Sequence, residues 1–434
     1  MPAHTRPTLR DAGPEGADAL ARRGPVRGPL NALASLVAWC ALLAAAGLLG
    51  AWLVGRIATD RLYATQFVFW VPSWLTLGAA LLLTLAAMLA QSLASASSAP
   101  AGRSRRALRV PRARRLARLT LVGVLLALAW MTIVDHRQWS RLVPTNVAPG
   151  SAQSTLAFRL VHWNLEAPDS RDFDADLASL VPGPRPALVL LSGYQSDAQI
   201  ARSLDPWSDD ARPYRLARAH RFSVASRWTV LRRELIALPS APVPSSRIDA
   251  ALQRAWDALA TTIGAAPRRL ASAGSSSLLW AIELDTRDEL GRNLVVWFVD
   301  LTSDPASPRW ASAQRARARL DELAATPSAS AGTQANAVPL LALAPDLIVG
   351  DFNTPRASAS LDLLTGGLTH AFDQAGVGPS ASWPRGFPLL HIDHTFVGRG
   401  LRATGYALAK PPVSEHWLQV VDLRADTSAP PRAK

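Results

Sequence analysis

The segment Leu347-Ile348-Val349-Gly350-Asp351-Phe352-Asn353-Thr354-Pro355 carries a short apolar run into a polar turn. The run predicts a strand over residues 347–349, after which Asp351 and Asn353, two apart in an extended chain, point to the same side. A carboxylate and an amide so placed can position a phosphate's water or hold a metal-bound oxygen. The same pattern also reads as an aspartate-rich turn that only closes a strand.

Working outward, further strand-like runs occur at residues 157–162, 187–191, 294–301 and 394–397, with helix-like stretches at 248–262 and 311–325 between them. Strands interleaved with helices predict a layered α/β or α+β domain. Polar residues again sit at the strand ends, in His162-Trp163-Asn164-Leu165-Glu166, Ile392-Asp393-His394 and Ser414-Glu415-His416. An aspartate that orients a histidine makes it a better general base, and an acid beside that histidine can reach a metal. His162, His220, His370 and His391 lack metal-like spacing and read as core or surface residues. Trp297, Trp310 and Trp383 read as packing residues rather than base-stacking platforms. Residues 326–337, rich in small polar residues, predict a mobile loop.

The first third has a different texture. Of 434 residues 49% are hydrophobic, but they concentrate in three runs, at 30–55, 65–93 and 119–134. At about 1.5 Å per residue the first exceeds the roughly 30 Å of hydrocarbon in a bilayer. It is also longer than the apolar part of a signal peptide, so it reads as an anchor. Trp70 and Trp74 sit near the start of the second, where amphipathic rings favour the interface, and Pro72 there is tolerated as a kink. The third is short and reaches back to Leu116, with Arg118 snorkelling to the headgroups.

The net charge of +13 is arginine charge, since the only lysines are Lys410 and Lys434. Arginines crowd the N-terminal tail and the loop between the second and third runs, which places both in the cytoplasm and, after three crossings, the rest of the chain outside it. Membrane topology and anionic headgroups therefore account for the charge better than a nucleic-acid patch. The single cysteine, Cys40, forms no intrachain disulfide. The expected organisation is a basic tail (1–29), a three-helix transmembrane anchor (30–136), a linker (137–155), a folded domain (156–425) and a disordered tail (426–434).

Taken in order, an opening Trp163-Asn164, then Gly350-Asp351-Phe352-Asn353-Thr354-Pro355, Ile392-Asp393-His394 and Ser414-Glu415-His416, resemble the endonuclease/exonuclease/phosphatase superfamily, in a bacterial membrane-anchored branch. The resemblance covers roughly residues 157–423. It implies three transmembrane helices followed by a four-layered α/β sandwich of the DNase-I-like type, hydrolysing phosphodiester bonds with Mg²⁺ or Mn²⁺. It makes Asn164 a ligand or phosphate contact near the metal, and Asp351 and Asn353 the residues that bind and polarise phosphate and water. His416 becomes the general base oriented by Asp393, with Glu415 at the acidic position beside it. Ser226-Arg227 matches a strand-ending pair that makes Arg227 a substrate contact. The implied partners are the bilayer and a phosphodiester, either nucleic acid or lipid headgroup. The implied location is the inner (plasma) membrane, multi-pass, with a periplasmic C-terminal domain; no protein partner is indicated.

Three positions depart from the family pattern. Gly193 stands where the metal-binding glutamate is usual, Asp300 where a histidine is usual, and Glu415 where an aspartate is usual. One consequence is a relocated metal site, in which Glu166, on the same strand face as Asn164, replaces the lost carboxylate. The alternative is a catalytically degenerate domain that binds or scaffolds, since the metal supplies much of the transition-state stabilisation.

Overall fold

The computed structural model describes residues 27–96, 109–135, 157–165, 177–181, 183–193, 196–207, 213–242, 254, 258, 277–326, 338–398 and 400–426. The proposed linker, all but the first residue of the loop expected over 326–337, the tail from residue 427 and nearly all of the helix expected over 248–262 lie outside them. The chain forms two compact units, Met1–Gly50 with Thr76–Ala127, and Ala51–Leu75 with Leu128–Lys434.

Among the described residues four helices come first: α1 (Arg27–Ala58), α2 (Tyr63–Trp70), α3 (Ser73–Ala96) and α4 (Arg109–Trp130). Three stretches, Ala32–Ala58, Ser73–Leu93 and Arg112–Asp135, are long and apolar enough to cross a membrane. In the first unit α1, α3 and α4 meet at Ala38, Leu42, Ala87 and Ala117. Small side chains at such contacts let apolar helices approach closely where no hydrophobic drive distinguishes a neighbour from lipid.

The second apolar run is not one helix. Val71 precedes a proline, which disfavours helical ψ, and it is extended at ψ 123°. The residues before it become α2, a separate helix of the second unit. Gln66, fully buried, donates from Nε2 to the carbonyls of Pro305 (3.0 Å) and Ser307 (3.1 Å) and accepts from the Arg309 backbone N–H at 2.9 Å. Asp60 accepts from the backbone N–H of Ser360 at 3.2 Å and from its hydroxyl. The buried Arg309 guanidinium lies 5.3 Å from the centroid of Trp70. The hydropathy of residues 65–70 thus serves packing against the α/β fold.

That fold has two six-stranded sheets. The first contains β1 (Ala157–Asn164), β2 (Leu188–Ser192), β3 (Arg215–Ala219), β4 (Phe222–Ser226), β11 (Leu401–Ala409) and β12 (Leu418–Ala425), in the order β11-β12-β1-β2-β4-β3. The second contains β5 (Val230–Leu238), β6 (Ser277–Leu284), β7 (Leu294–Asp300), β8 (Leu347–Asp351), β9 (Thr369–His370) and β10 (Asp393–Val397), ordered β5-β6-β7-β8-β10-β9.

Alternation along the strands builds the layers. Phe158, Leu160, Leu188 and Leu190 face Trp280, Val296, Phe298 and Val349 in the core between the sheets. Val161, Trp163, Val189 and Leu191 turn outward onto the helical segments that carry Leu177, Ile200 and Leu204. Trp297, Val299 and Ile348 turn outward onto α5 (Arg309–Ala325) and α6 (Ala359–Thr365) through Ala316, Leu320, Leu361 and Leu364. The result is a four-layered α/β sandwich. Strands buried on both faces lose apolar–polar alternation, which is why β2 and β7 read as continuous apolar runs.

Two parallel pairs, β1 with β2 and β7 with β8, bring strand ends together. Asn164 aligns with Ser192, and Asp300 with Asp351. Antiparallel β10 sets Asp393 opposite Asp351. The polar strand ends of both sheets therefore collect at one edge of the sandwich.

Candidate active site

Gly350 permits the approach of β8 to β7: its φ is +147°, and a Cβ there would lie 1.9 Å from the Val299 carbonyl oxygen. One residue on, the buried Asp351 carboxylate accepts from Asn164 Nδ2 at 2.7 Å and from the Asn353 backbone N–H at 2.8 Å. Asn353 is left-handed (φ +47°), a conformation asparagine tolerates better than most residues. Its Nδ2 donates to the Leu301 carbonyl at 2.8 Å, which fixes the amide's orientation.

Asp393 and His416 form the second half of the site. Asp393 Oδ2 lies 2.9 Å from His416 Nδ1 and accepts from the Ser382 hydroxyl at 2.6 Å. A carboxylate acceptor at Nδ1 selects the Nδ1–H tautomer and leaves the Nε2 lone pair facing the site. Nε2 is 3.9 Å from Asp351 Oδ2. The histidine's backbone is held too: its carbonyl accepts from Trp163 Nε1 at 3.1 Å and its N–H donates to the Ser414 hydroxyl at 3.0 Å. That hydroxyl donates to the Asn164 carbonyl at 2.6 Å, so the 410–417 loop is pinned to the end of β1.

The two carboxyls titrate in opposite directions. Burial, with the charges of Asp393 and Asp300 adding to it against the pull of His416, pushes Asp351 up to about 7. Burial alone would raise Asp393 as well, but the His416 charge and hydrogen bonds from His416 and Ser382 hold it below the usual value. Pairs pushed apart in this way are a mark of acid/base sites. Beneath them His162 is fully buried between the sheets, with no hydrogen-bond partner among the described residues, and burial lowers it to about 4. It is neutral and packs edge-on to Phe298.

The remaining candidates fall elsewhere. Glu415 is half exposed, 3.9 Å from Arg385 and within 3.3 Å of that residue's backbone N–H. Arg227 donates its backbone N–H to Ala187, at the start of β2. Six residues of strand thus separate its backbone from the Gly193 end, about 20 Å at ~3.4 Å per residue. Asp300 is paired with Arg221 (Nε–Oδ2 2.6 Å). The backbone of Arg221 also accepts from the N–H of Gly193 at 2.8 Å. The residue that anchors the Gly193 backbone thus also carries the guanidinium paired with Asp300. Glu166 lies outside the described residues. Ser382 and Gln419, which donates to the Asp393 carbonyl, have no motif around them and were not legible as site residues.

Among the described residues two groups have metal-like proximity. Asp351, Asp393 and His416 bring ligand atoms within 4.8 Å of one another, as do His370, His391 and His394. The first fits a hard divalent cation: it offers buried carboxylate oxygens, and Asp393 Oδ1 has no hydrogen-bond partner among the described residues. The histidine group does not fit a metal. His370 Nδ1 accepts from the Phe372 N–H, so its Nε2 carries the proton and donates to His394 Nδ1 at 2.9 Å; His394 Nε2 in turn donates to the Thr354 carbonyl at 2.8 Å. These lone pairs are spent on a hydrogen-bonded chain that supports the turn after Asp351.

No protein-family model matches the chain, and no curated protein does. Among solved structures it is similar to an endonuclease/exonuclease/phosphatase from Beutenbergia cavernae (15% identity, TM-score 0.37, covering 62% of this chain and 72% of the other). It is similar to a truncated TDP2 from Caenorhabditis elegans (15%, 0.39, 62% and 98%). A third is the 3′ phosphatase NExo from Neisseria, bound to product DNA hairpin (12%, 0.34, 62% and 99%). The chemistry rests on the side chains described above.

Proposed function

We propose that the chain is a membrane-anchored phosphoesterase that uses a divalent cation, with Asp351, Asn164, Asn353, Asp393 and His416 as its working residues. The observation that carries this reading is the buried Asp393–His416 hydrogen bond, which aims a basic Nε2 at a second buried carboxylate, Asp351. Asp393 keeps His416 in the tautomer able to take a proton from water at Nε2 and stabilises the imidazolium that results. The amides of Asn164 and Asn353, held by hydrogen bonds to Asp351 and to the Leu301 carbonyl, are placed to contact phosphate oxygens. Asp351, with Asn164 and Glu166, would hold Mg²⁺ or Mn²⁺, which when bound neutralises phosphate charge and activates the phosphorus centre. The substrate class is a phosphodiester, of nucleic acid or a lipid headgroup. The arginine pattern orients the domain to the periplasmic side of the inner membrane.

Gly193 and the Arg221–Asp300 pair favour a second reading, a domain that binds phosphoesters without turning them over. Hydrolysis of bis(p-nitrophenyl) phosphate by the full-length protein, with Mg²⁺ or Mn²⁺ against chelator, separates the two. Metal-dependent turnover supports the enzyme; its absence together with retained phosphate binding supports the second reading.

A further inference from the structure

The second unit contains a cavity of about 1090 Å³, above the roughly 300–1,000 Å³ of most small-ligand pockets. Its wall includes Arg56, Ser73 and Asp135, which lie at the end of the first candidate span, the start of the second and the end of the third. In a chain that crosses up, down and up, these three places share one membrane face. The cavity therefore opens where the bilayer surface meets the sandwich.

Its lining is amphipathic. Trp74, Trp130 and Phe387 contribute rings that are 38%, 54% and 59% exposed, so packing has not consumed them. Trp74 and Phe387 meet edge to face at 5.4 Å. Against these stand two guanidinia and two carboxylates: Arg56 paired with Asp135, and Arg356 paired with Asp373 at 2.6 Å. Arg356 also donates to the Asp135 carbonyl and stacks 4.8 Å over Phe372. The Asp373 side chain is 42% exposed and able to take a second partner.

The charges balance. An anionic lipid would bring one negative charge to a wall already neutral, whereas a zwitterionic one matches it, phosphate toward the guanidinia and ammonium toward Asp373 and the tryptophan faces. Exposed aromatic rings at the depth of the headgroups suit the glycerol and upper acyl segments. We propose that this cavity binds a zwitterionic phospholipid drawn from the adjoining leaflet. The inference rests on the membrane placement proposed above but not on chemistry at Asp351.

The test uses full-length protein in nanodiscs carrying phosphatidylethanolamine with a diazirine in one acyl chain, irradiated and mapped by mass spectrometry. A matched phosphatidylglycerol probe gives the charge comparison. Ala407 lines the cavity from an exposed position on β11, so Ala407→Trp fills it without entering the core. The expected result is labelling of peptides around Phe387 and Leu408, at least fivefold weaker in Ala407→Trp and severalfold stronger with phosphatidylethanolamine. Asp373→Asn, which leaves a net positive wall, shifts the preference to phosphatidylglycerol. Labelling confined to the spans, unchanged labelling in Ala407→Trp, or equal labelling by both lipids overturns the proposal. No labelling of the spans themselves refutes the membrane placement instead.

Discussion

Replacing Asp351 by asparagine should stabilise the metal-free protein at alkaline pH, although it removes a residue central to the site. The carboxyl is raised from 3.8 to about 7, so the folded state takes up its proton at a higher pH than the unfolded state does. Below pH 4 both states are protonated and the group costs nothing. The penalty grows between pH 4 and 7 and is complete above that, reaching up to about 4 kcal/mol at ~1.36 kcal/mol per unit. Asparagine escapes it but offers one acceptor oxygen where the carboxylate met two N–H donors, a loss of about 1–2 kcal/mol. The net gain of about 2–3 kcal/mol corresponds to a Tm roughly 5–10 °C higher for a domain of this size. Differential scanning fluorimetry of full-length protein in detergent with chelator, from pH 4.5 to 8.5, reads it directly. A difference that opens as pH rises, and that Mg²⁺ closes by stabilising only the native protein, is expected. An asparagine variant that is less stable at pH 8, or a difference independent of pH, would refute the reasoning.

Other consequences follow from particular contacts. Arg221→Ala removes the guanidinium from the largely buried Asp300 carboxylate and should lower stability by about 3 kcal/mol, whereas Arg221→Met combined with Asp300→Leu should sit near the native value in urea denaturation. Gly350→Ala forces a Cβ into the Val299 carbonyl, so the variant should show no cooperative melting transition. Gln66→Ala strands the buried Arg309 N–H and the Pro305 and Ser307 carbonyls, which should cost about 2–3 kcal/mol in the same denaturation experiment.

A layered α/β domain was legible where apolar runs meet polar residues: residues 347–349 and 394–397 read as strands with Asp351 and Asp393 at their ends, the sandwich itself came from the family resemblance, and the equally apolar β6 went unread. Edge and hairpin strands were harder. β3 and β5 carry exposed arginines and mix polar with apolar residues, and β11 contains Gly405 within a register shift, so no periodicity marks them. Hydropathy also could not separate a membrane helix from a buried one within residues 65–93: Pro72 reads equally as a tolerated kink, and the partners of Gln66 that decide the matter lie more than two hundred residues away in sequence. The same distance hides the site's supports. Ser382 reaches Asp393 across a loop, and nothing near Arg221 announces that its guanidinium will neutralise Asp300. Side chains that act through a hydrogen bond to a catalytic group carry no local signature, whereas those at the ends of apolar strands do.

The most direct test of the account is the kcat for bis(p-nitrophenyl) phosphate, in saturating Mg²⁺, of the native full-length protein beside Asp393→Asn and His416→Ala. If Nε2 of His416, oriented by Asp393, takes the proton from water, both variants should bind metal and melt cooperatively yet lose about 10²–10⁴ in kcat. Native turnover that persists in both variants would contradict the assignment of this pair as the site of catalysis.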